Sequence, residues 1–108
     1  VGSAGREHRA SPRRAASAPC RINDGEVVRF ARVVDLGMGG LRIATAAPPP
    51  VGCEVDLVFR LADGGPAVEA TGRVVWRACG YRGRGGVMGV EFASVSNLGE
   101  IIEYLKQA

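Results

Sequence analysis

Apolar and polar residues alternate with a period of two along most of this chain, and the period lengthens only at its C-terminal end. The clearest stretch is 54–61, where Val55, Leu57, Phe59 and Leu61 alternate with Glu54, Asp56, Val58 and Arg60. That pattern predicts a strand with one buried and one mostly wet face. Residues 68–77 alternate again, Val68, Ala70, Val74 and Trp76 against Glu69, Thr71, Arg73 and Arg77. This places Trp76 in the core, and Gly72 marks a bulge. Earlier in the chain a strand is expected around Cys20, Arg21 and Ile22, followed by a turn at Asn23-Asp24-Gly25. Residues 26–34 form the next, with Val28, Phe30 and Val34 on one face and Val27, Ala31 and Val33 making the other apolar too. Leu41 and Ile43 point inward from a strand over 41–44, and Met88, Val90 and Phe92 share a face in 87–92. Glycine and proline punctuate the gaps: Pro48-Pro49-Pro50 with Gly52, a hairpin turn at 62–66, and a glycine–arginine turn at 80–86. At the end, Leu98, Ile101, Ile102 and Leu105 fall at i, i+3, i+4 and i+7, one stripe of a helix over 97–107. Asn97 and Glu100 are spaced as a capping box, and Lys106 suits the C-terminal end of the helix dipole. The fold class is therefore all-β: six short antiparallel strands in a small barrel, with one C-terminal α-helix against it.

A length of 108 residues suits one domain near the small end for a self-sufficient core. No apolar run approaches the ~18 residues of a membrane span, and no secretory h-region stands at the N-terminus. Cys20, Cys53 and Cys79 are odd in number and far apart, with no Cys-x-x-Cys, so neither zinc nor a redox pair is suggested. A cytoplasmic protein with reduced thiols is expected. The net charge of +3 is unevenly placed: residues 1–22 hold five arginines against Glu7, while 23–108 hold nine basic and ten acidic groups. The basic character belongs to an N-terminal arm and implies an anionic partner. Residues 1–5 read as a disordered lead, and 6–19, punctuated by Pro12 and Pro19, as an extended arginine-rich loop ahead of a barrel over 20–93. His8 is the only histidine and lies in that arm, so no Ser/His/Asp or Cys/His set and no metal cluster can be built on the barrel. An enzyme is not expected, and no cofactor or metal is implied.

The stretch between the strands ending near Val34 and beginning at Leu41 is Asp35-Leu36-Gly37-Met38-Gly39-Gly40. Three glycines in four residues mean a tight corner, with positive φ or close backbone approach. Asp35 at its head is an acceptor-only group that either caps the turn or accepts from a ligand. Upstream, Arg9-Ala10-Ser11-Pro12-Arg13 sets two guanidiniums four residues apart. Together these stretches resemble the PilZ domain family, which carries Arg-x-x-x-Arg in an N-terminal loop and Asp/Asn-x-Ser-x-x-Gly at a strand end. The resemblance covers nearly the whole chain. It implies a small β-barrel and a receptor for the bacterial second messenger cyclic di-GMP. Arg9 and Arg13 match the first motif and Asp35 and Gly40 the second, while Gly37 stands where the family usually has Ser. His8 stands where many members have another Arg, its ring either stacking on a base or simply solvated. The chemistry suits the ligand: Arg reads guanine O6 and N7 or clamps phosphate, and a carboxylate accepts from guanine N1–H and N2–H₂. A serine at position 37 is expected to tighten binding by about 0.5–1.5 kcal/mol. Ordering of the arm over the barrel would carry a signal to a neighbouring domain or downstream protein. No DNA partner and no membrane insertion are expected. Two other readings stand beside this one. A single-stranded RNA or DNA module would use the basic arm and Gly83-Arg84-Gly85-Gly86, though that element reads first as a hairpin turn. A PilZ-like adaptor would act through protein contacts without nucleotide.

Overall fold

A computed structural model of the chain describes residues 12–80, 82 and 84–107. Six strands, β1 (Arg13–Asn23), β2 (Val28–Gly37), β3 (Gly40–Thr45), β4 (Glu54–Phe59), β5 (Val68–Cys79) and β6 (Gly86–Val95), precede one helix, α1 (Leu98–Lys106). The strands close into a barrel in the order β1-β2-β3-β6-β5-β4, every neighbour antiparallel. Closure leaves no unpaired sheet edge, which an open sheet of this size would expose. Inside lie Ile22, Val33, Leu36, Leu41, Ile43, Val55, Leu57, Phe59, Val68, Val74 and Met88, with Ile101 of the helix plugging the assembly.

The first strand is longer than its sequence suggests. It starts at Arg13, so residues 13–19 are barrel wall and not the extended loop expected there. Ala15, Ala16, Ser17 and Ala18 differ too little in hydropathy to show a period of two, yet Ala15 and Ala18 lie in the ladder that runs against β2 from Arg13↔Gly37 to Asn23↔Val28, with Ala16 and Ser17 forming an irregularity between them. The barrel wall accordingly runs from Arg13 to Val95.

Two irregularities set the outer face. Val33 pairs with Ile43 and Asp35 with Arg42, so Val34 is an extra residue in β2. An inserted residue reverses the alternation beyond it. Val33 and Leu36 are therefore both in the core; Phe30, ahead of the inserted residue, stands 80% exposed outside on the face it shares with Val28. The same happens in β5: Val74 pairs with Val90 and Trp76 with Gly89, leaving Val75 extra. Trp76 is consequently turned out of the core, 40% exposed, against the expectation from simple alternation. A further irregularity in the β5–β6 ladder lies between Thr71 and Gly72, where the sequence expected a bulge.

The helix is held by bonds other than a capping box. Asn97 is left-handed (φ 55°) and makes no side-chain cap; its Nδ2 instead donates to the Ala67 carbonyl at 2.7 Å. The Glu100 N–H bonds the Asn97 carbonyl at 2.9 Å. Tyr104 reaches the root of β1, its hydroxyl donating to Ala15 O at 2.8 Å while Arg14 Nη1 donates to Tyr104 O at 2.6 Å. The Arg14 guanidinium also lies 4.1 Å over the Tyr104 ring, a cation–π contact.

Candidate ligand-binding site

The two irregular strands build one wall. Reading across the ladder, Leu36, Leu41, Val90 and Val74 of β2, β3, β6 and β5 form an inward row. Beside it, Asp35, Arg42, Gly89 and Trp76 of the same four strands form an outward row. Without the extra residues Val34 and Val75, neither Asp35 nor Trp76 would join that row.

Asp35 is the focus of this wall. It is only 6% exposed, and each carboxylate oxygen is engaged by a different guanidinium: Oδ1 by Arg13 Nη2, and Oδ2 by Arg42 Nε and Nη2. A carboxylate this buried must be paired, and two half-exposed arginine side chains do so here. Its bonds thus run to arginines, where a turn-capping Asp would bond the corner's own backbone. Arg13 and Asp35, 22 positions apart in sequence, meet because the β1–β2 register sets Arg13 opposite Gly37. Arg42 carried no motif and was not singled out in the sequence; its signal is its register position directly across from Asp35.

The glycines of the corner do different things. None of Gly37, Gly39 and Gly40 has positive φ. At Gly40 a Cβ would lie 2.1 Å from the Val90 carbonyl oxygen, so this glycine lets β3 approach β6. At Gly39 a Cβ would meet nothing. At Gly37 it would lie 3.0 Å from Arg13 Nη1 and 3.3 Å from the Pro12 carbonyl oxygen, so the missing side chain leaves room for the Arg13 guanidinium. Gly89 is another close approach on this wall: a Cβ there would sit 2.1 Å from Trp76 Nε1. The indole therefore lies directly on the Gly89 backbone.

Arg13, Gly37, Gly40, Arg42, Trp76 and Gly89 all line one cavity of about 740 Å³. Met38 and Val75, both large and exposed, line it too. Asp35 lies outside the lining, paired to two of its arginines, and Glu91 is the carboxylate within it; cationic, apolar and aromatic side chains together make a surface that can take an anionic, flat, hydrogen-bonding molecule. Among the described residues no cluster of three or more His, Cys, Asp or Glu could hold a metal ion. None of the described helices is long and apolar enough to cross a membrane. His8 and Arg9, the other two positions singled out in the sequence, lie outside the described residues.

This six-stranded barrel with a C-terminal helix is the class of fold, and the family model for the PilZ domain matches residues 7–107. The chain belongs to the PilZ domain family. Two solved structures share the fold. The Bacillus subtilis inhibitor of motility MotI/DgrA superposes with a TM-score of 0.76 at 16% identity, covering 90% of this chain and 49% of that one. The PilZ domain of YcgR from Escherichia coli, solved with c-di-GMP, gives a TM-score of 0.66 at 16% identity, covering 90% of each chain. The present chain thus spans about half the length of MotI/DgrA. No curated protein matches it in sequence.

Proposed function

We propose that this domain is a non-enzymatic bacterial receptor for cyclic di-GMP, with Asp35 accepting the N1–H and N2–H₂ edge of one guanine and Arg13 and Arg9 serving the phosphates or a base edge. The observation that carries the reading is the buried Asp35 carboxylate, held by Arg13 and Arg42, which themselves line a nucleotide-sized cavity. Both oxygens already bear guanidiniums, so guanine takes over bonds that arginine donates in the free protein. One set of charge-assisted bonds is exchanged for another, and the displaced cation is left beside the ligand's phosphates. Guanine's paired donors mimic the geometry of a guanidinium, which suits the ligand to this exchange. Gly37 and Gly40 contribute backbone space, and His8 belongs to the same arm as Arg9. The three free cysteines accord with a reducing, cytoplasmic compartment.

The signal we assign to the arm is confined to the residues ahead of β1. Residues 13–19 already sit in the ladder, and Arg14 and Ala15 are tied to Tyr104 of α1. Ordering on ligand binding therefore involves residues 6–12, whose fixed root passes the change to α1 and to whatever partner docks there. The test is calorimetric titration of the Arg9→Ala and Arg13→Ala variants. Each is expected to weaken cyclic di-GMP by about 1–3 kcal/mol while remaining folded. Wild-type affinity in both variants would overturn the assignment.

A further inference from the structure

We infer that the outer face of β1 and β2, around Phe30, is a docking surface for an acidic, amphipathic segment of another protein. The inference goes beyond the receptor reading and uses none of the residues assigned to cyclic di-GMP. Large apolar side chains exposed on the described strands fall in two places: Val75 and Trp76 of β5 beside the ligand cavity, and Val28 and Phe30 at the start of β2. Phe30 is 80% exposed, while Ala31 beside it takes the inward place opposite Cys20 and packs on the core. Burial favours the opposite arrangement, since a phenylalanine side chain gains far more from leaving water than an alanine methyl does. Apolar side chains left together in solvent mark a contact surface.

The shape of the face says what it takes. Phe30 and Pro19 line both of two grooves, of about 460 and 640 Å³, and stand as a ridge between them. One groove runs toward β4, past Val58 and Arg60, and the other toward the end of β3, past Ala44 and Ala46. Side chains projecting from a peptide fill two such grooves, whereas a flat bilayer fills neither. The rim is cationic. Arg21 lies directly opposite both Phe30 of β2 and Val58 of β4, Arg32 follows Phe30 on the same face, and Arg60 lines the first groove. Among the described residues none of these three is in an ion pair. Arg32 donates to Ser17 Oγ at 3.0 Å and Arg60 to the Gly65 carbonyl at 2.5 Å, both neutral acceptors. By contrast, Arg13, Arg29, Arg42 and Arg73 each face a carboxylate. Glu69 alone opposes the three arginines within the grooves, so the face stays positive. Charge complementarity selects acidic residues in the partner, and the grooves select large apolar ones among them. A nucleic acid meets the charge but leaves the apolar grooves unfilled. Asp35 lies five residues beyond Phe30 along β2, roughly 17 Å, which leaves room for both faces to be occupied together.

The test selects a displayed library of random dodecapeptides on the full chain, then titrates the recovered sequences by fluorescence anisotropy. Expected are peptides rich in Asp and Glu around large apolar residues. Phe30→Ser and Arg21→Glu should each weaken such a peptide by about tenfold or more, and cyclic di-GMP should not displace it. The double variant Arg21→Glu, Arg32→Glu should instead bind the peptide with its acids replaced by lysine. All three side chains are exposed, so the wild-type melting curve should persist; should Phe30→Ser not fold, the arginine variants decide. Recovery of no peptide, of peptides without acidic bias, or of peptides that the variants bind as wild type does overturns the docking surface. Displacement by cyclic di-GMP would put the peptide on the ligand wall and overturn it too. Dimerisation, oligouridylate binding or anionic-vesicle binding that Phe30→Ser abolishes would give the face to a second copy, a nucleic acid or a membrane instead. The receptor reading stands or falls separately, on titration with cyclic di-GMP.

Discussion

Gly39 and Gly40 are neighbours of identical chemistry, yet alanine should be nearly silent at one and costly at the other. A Cβ at Gly40 would sit 2.1 Å from the Val90 carbonyl oxygen and 3.2 Å from the Glu91 Cα. Both neighbours are backbone in the central β3–β6 ladder, where Gly40 pairs with Glu91, so no side chain can swing aside. Relief requires the strands to part by about 1 Å. That strains or breaks a ladder bond, and among those at risk is the one from Phe92 N–H to Gly39 O, 2.9 Å long. Overpacking costs about 1–3 kcal/mol and a lost hydrogen bond about 0.5–1.5 kcal/mol, giving about 2–4 kcal/mol for Gly40→Ala. For a domain of this size that lowers Tm by about 8–20 °C. At Gly39 a Cβ meets nothing and φ is not positive, so Gly39→Ala should lie within about 0.5 kcal/mol of wild type or slightly above it. Urea unfolding of both variants, with thermal melts alongside, measures the difference. Equal stability of the two would refute the claim that Gly40 is required for close strand approach.

The remaining predictions concern the site and the core. Asp35→Ala should weaken cyclic di-GMP much more than cyclic di-AMP, since only guanine offers paired N1–H and N2–H₂ donors; equal losses by calorimetry would make Asp35 a structural partner of Arg13 and Arg42 alone. Gly37→Ser should tighten cyclic di-GMP by about 0.5–1.5 kcal/mol, because its Cβ presses chiefly on the movable Arg13 guanidinium. Weakened binding would show that the Pro12 carbonyl, 3.3 Å away, does not yield. Burial pushes the Cys20 thiol up from 9.0 to about 12, opposed only by a backbone bond from Val58. A raised folded-state pKa of an acid leaves the unfolded chain to ionise first, so stability is constant below pH 9 and falls above it, by up to about 1.4 kcal/mol per pH unit. Replacing Cys20 with Ala should flatten that alkaline decline in unfolding measurements; an unchanged slope would assign it to other groups. In the folded protein exposed Cys79 should alkylate readily and Cys20 only on unfolding, a difference that mass spectrometry reads directly.

Much of the fold is legible in residue patterns because regular strands keep their phase. Residues 54–59 are buried at Val55, Leu57 and Phe59 as simple alternation requires. The pattern misleads where one residue is inserted. Val34 and Val75 are apolar like the valines before them, so nothing local reveals that the phase reverses after each, and Trp76 is read onto the wrong face. Small residues hide β1 in the same way: Ala15 to Ala18 carry almost no contrast between faces. For the site, Arg13 and Asp35 stand out by motif spacing, and the register brings them together. Arg42 and Gly89 carry no motif because their roles come from cross-strand position, which depends on a register that a single strand's sequence does not encode.

The most direct measurement is a calorimetric titration of the wild-type chain with cyclic di-GMP, repeated with cyclic di-AMP at the same salt concentration. The account predicts saturable binding with whole-number stoichiometry, tighter for the guanine ligand by at least about tenfold, as base-edge readout by Asp35 and arginine requires. No saturable binding of cyclic di-GMP, or equal affinity for both dinucleotides, would contradict it.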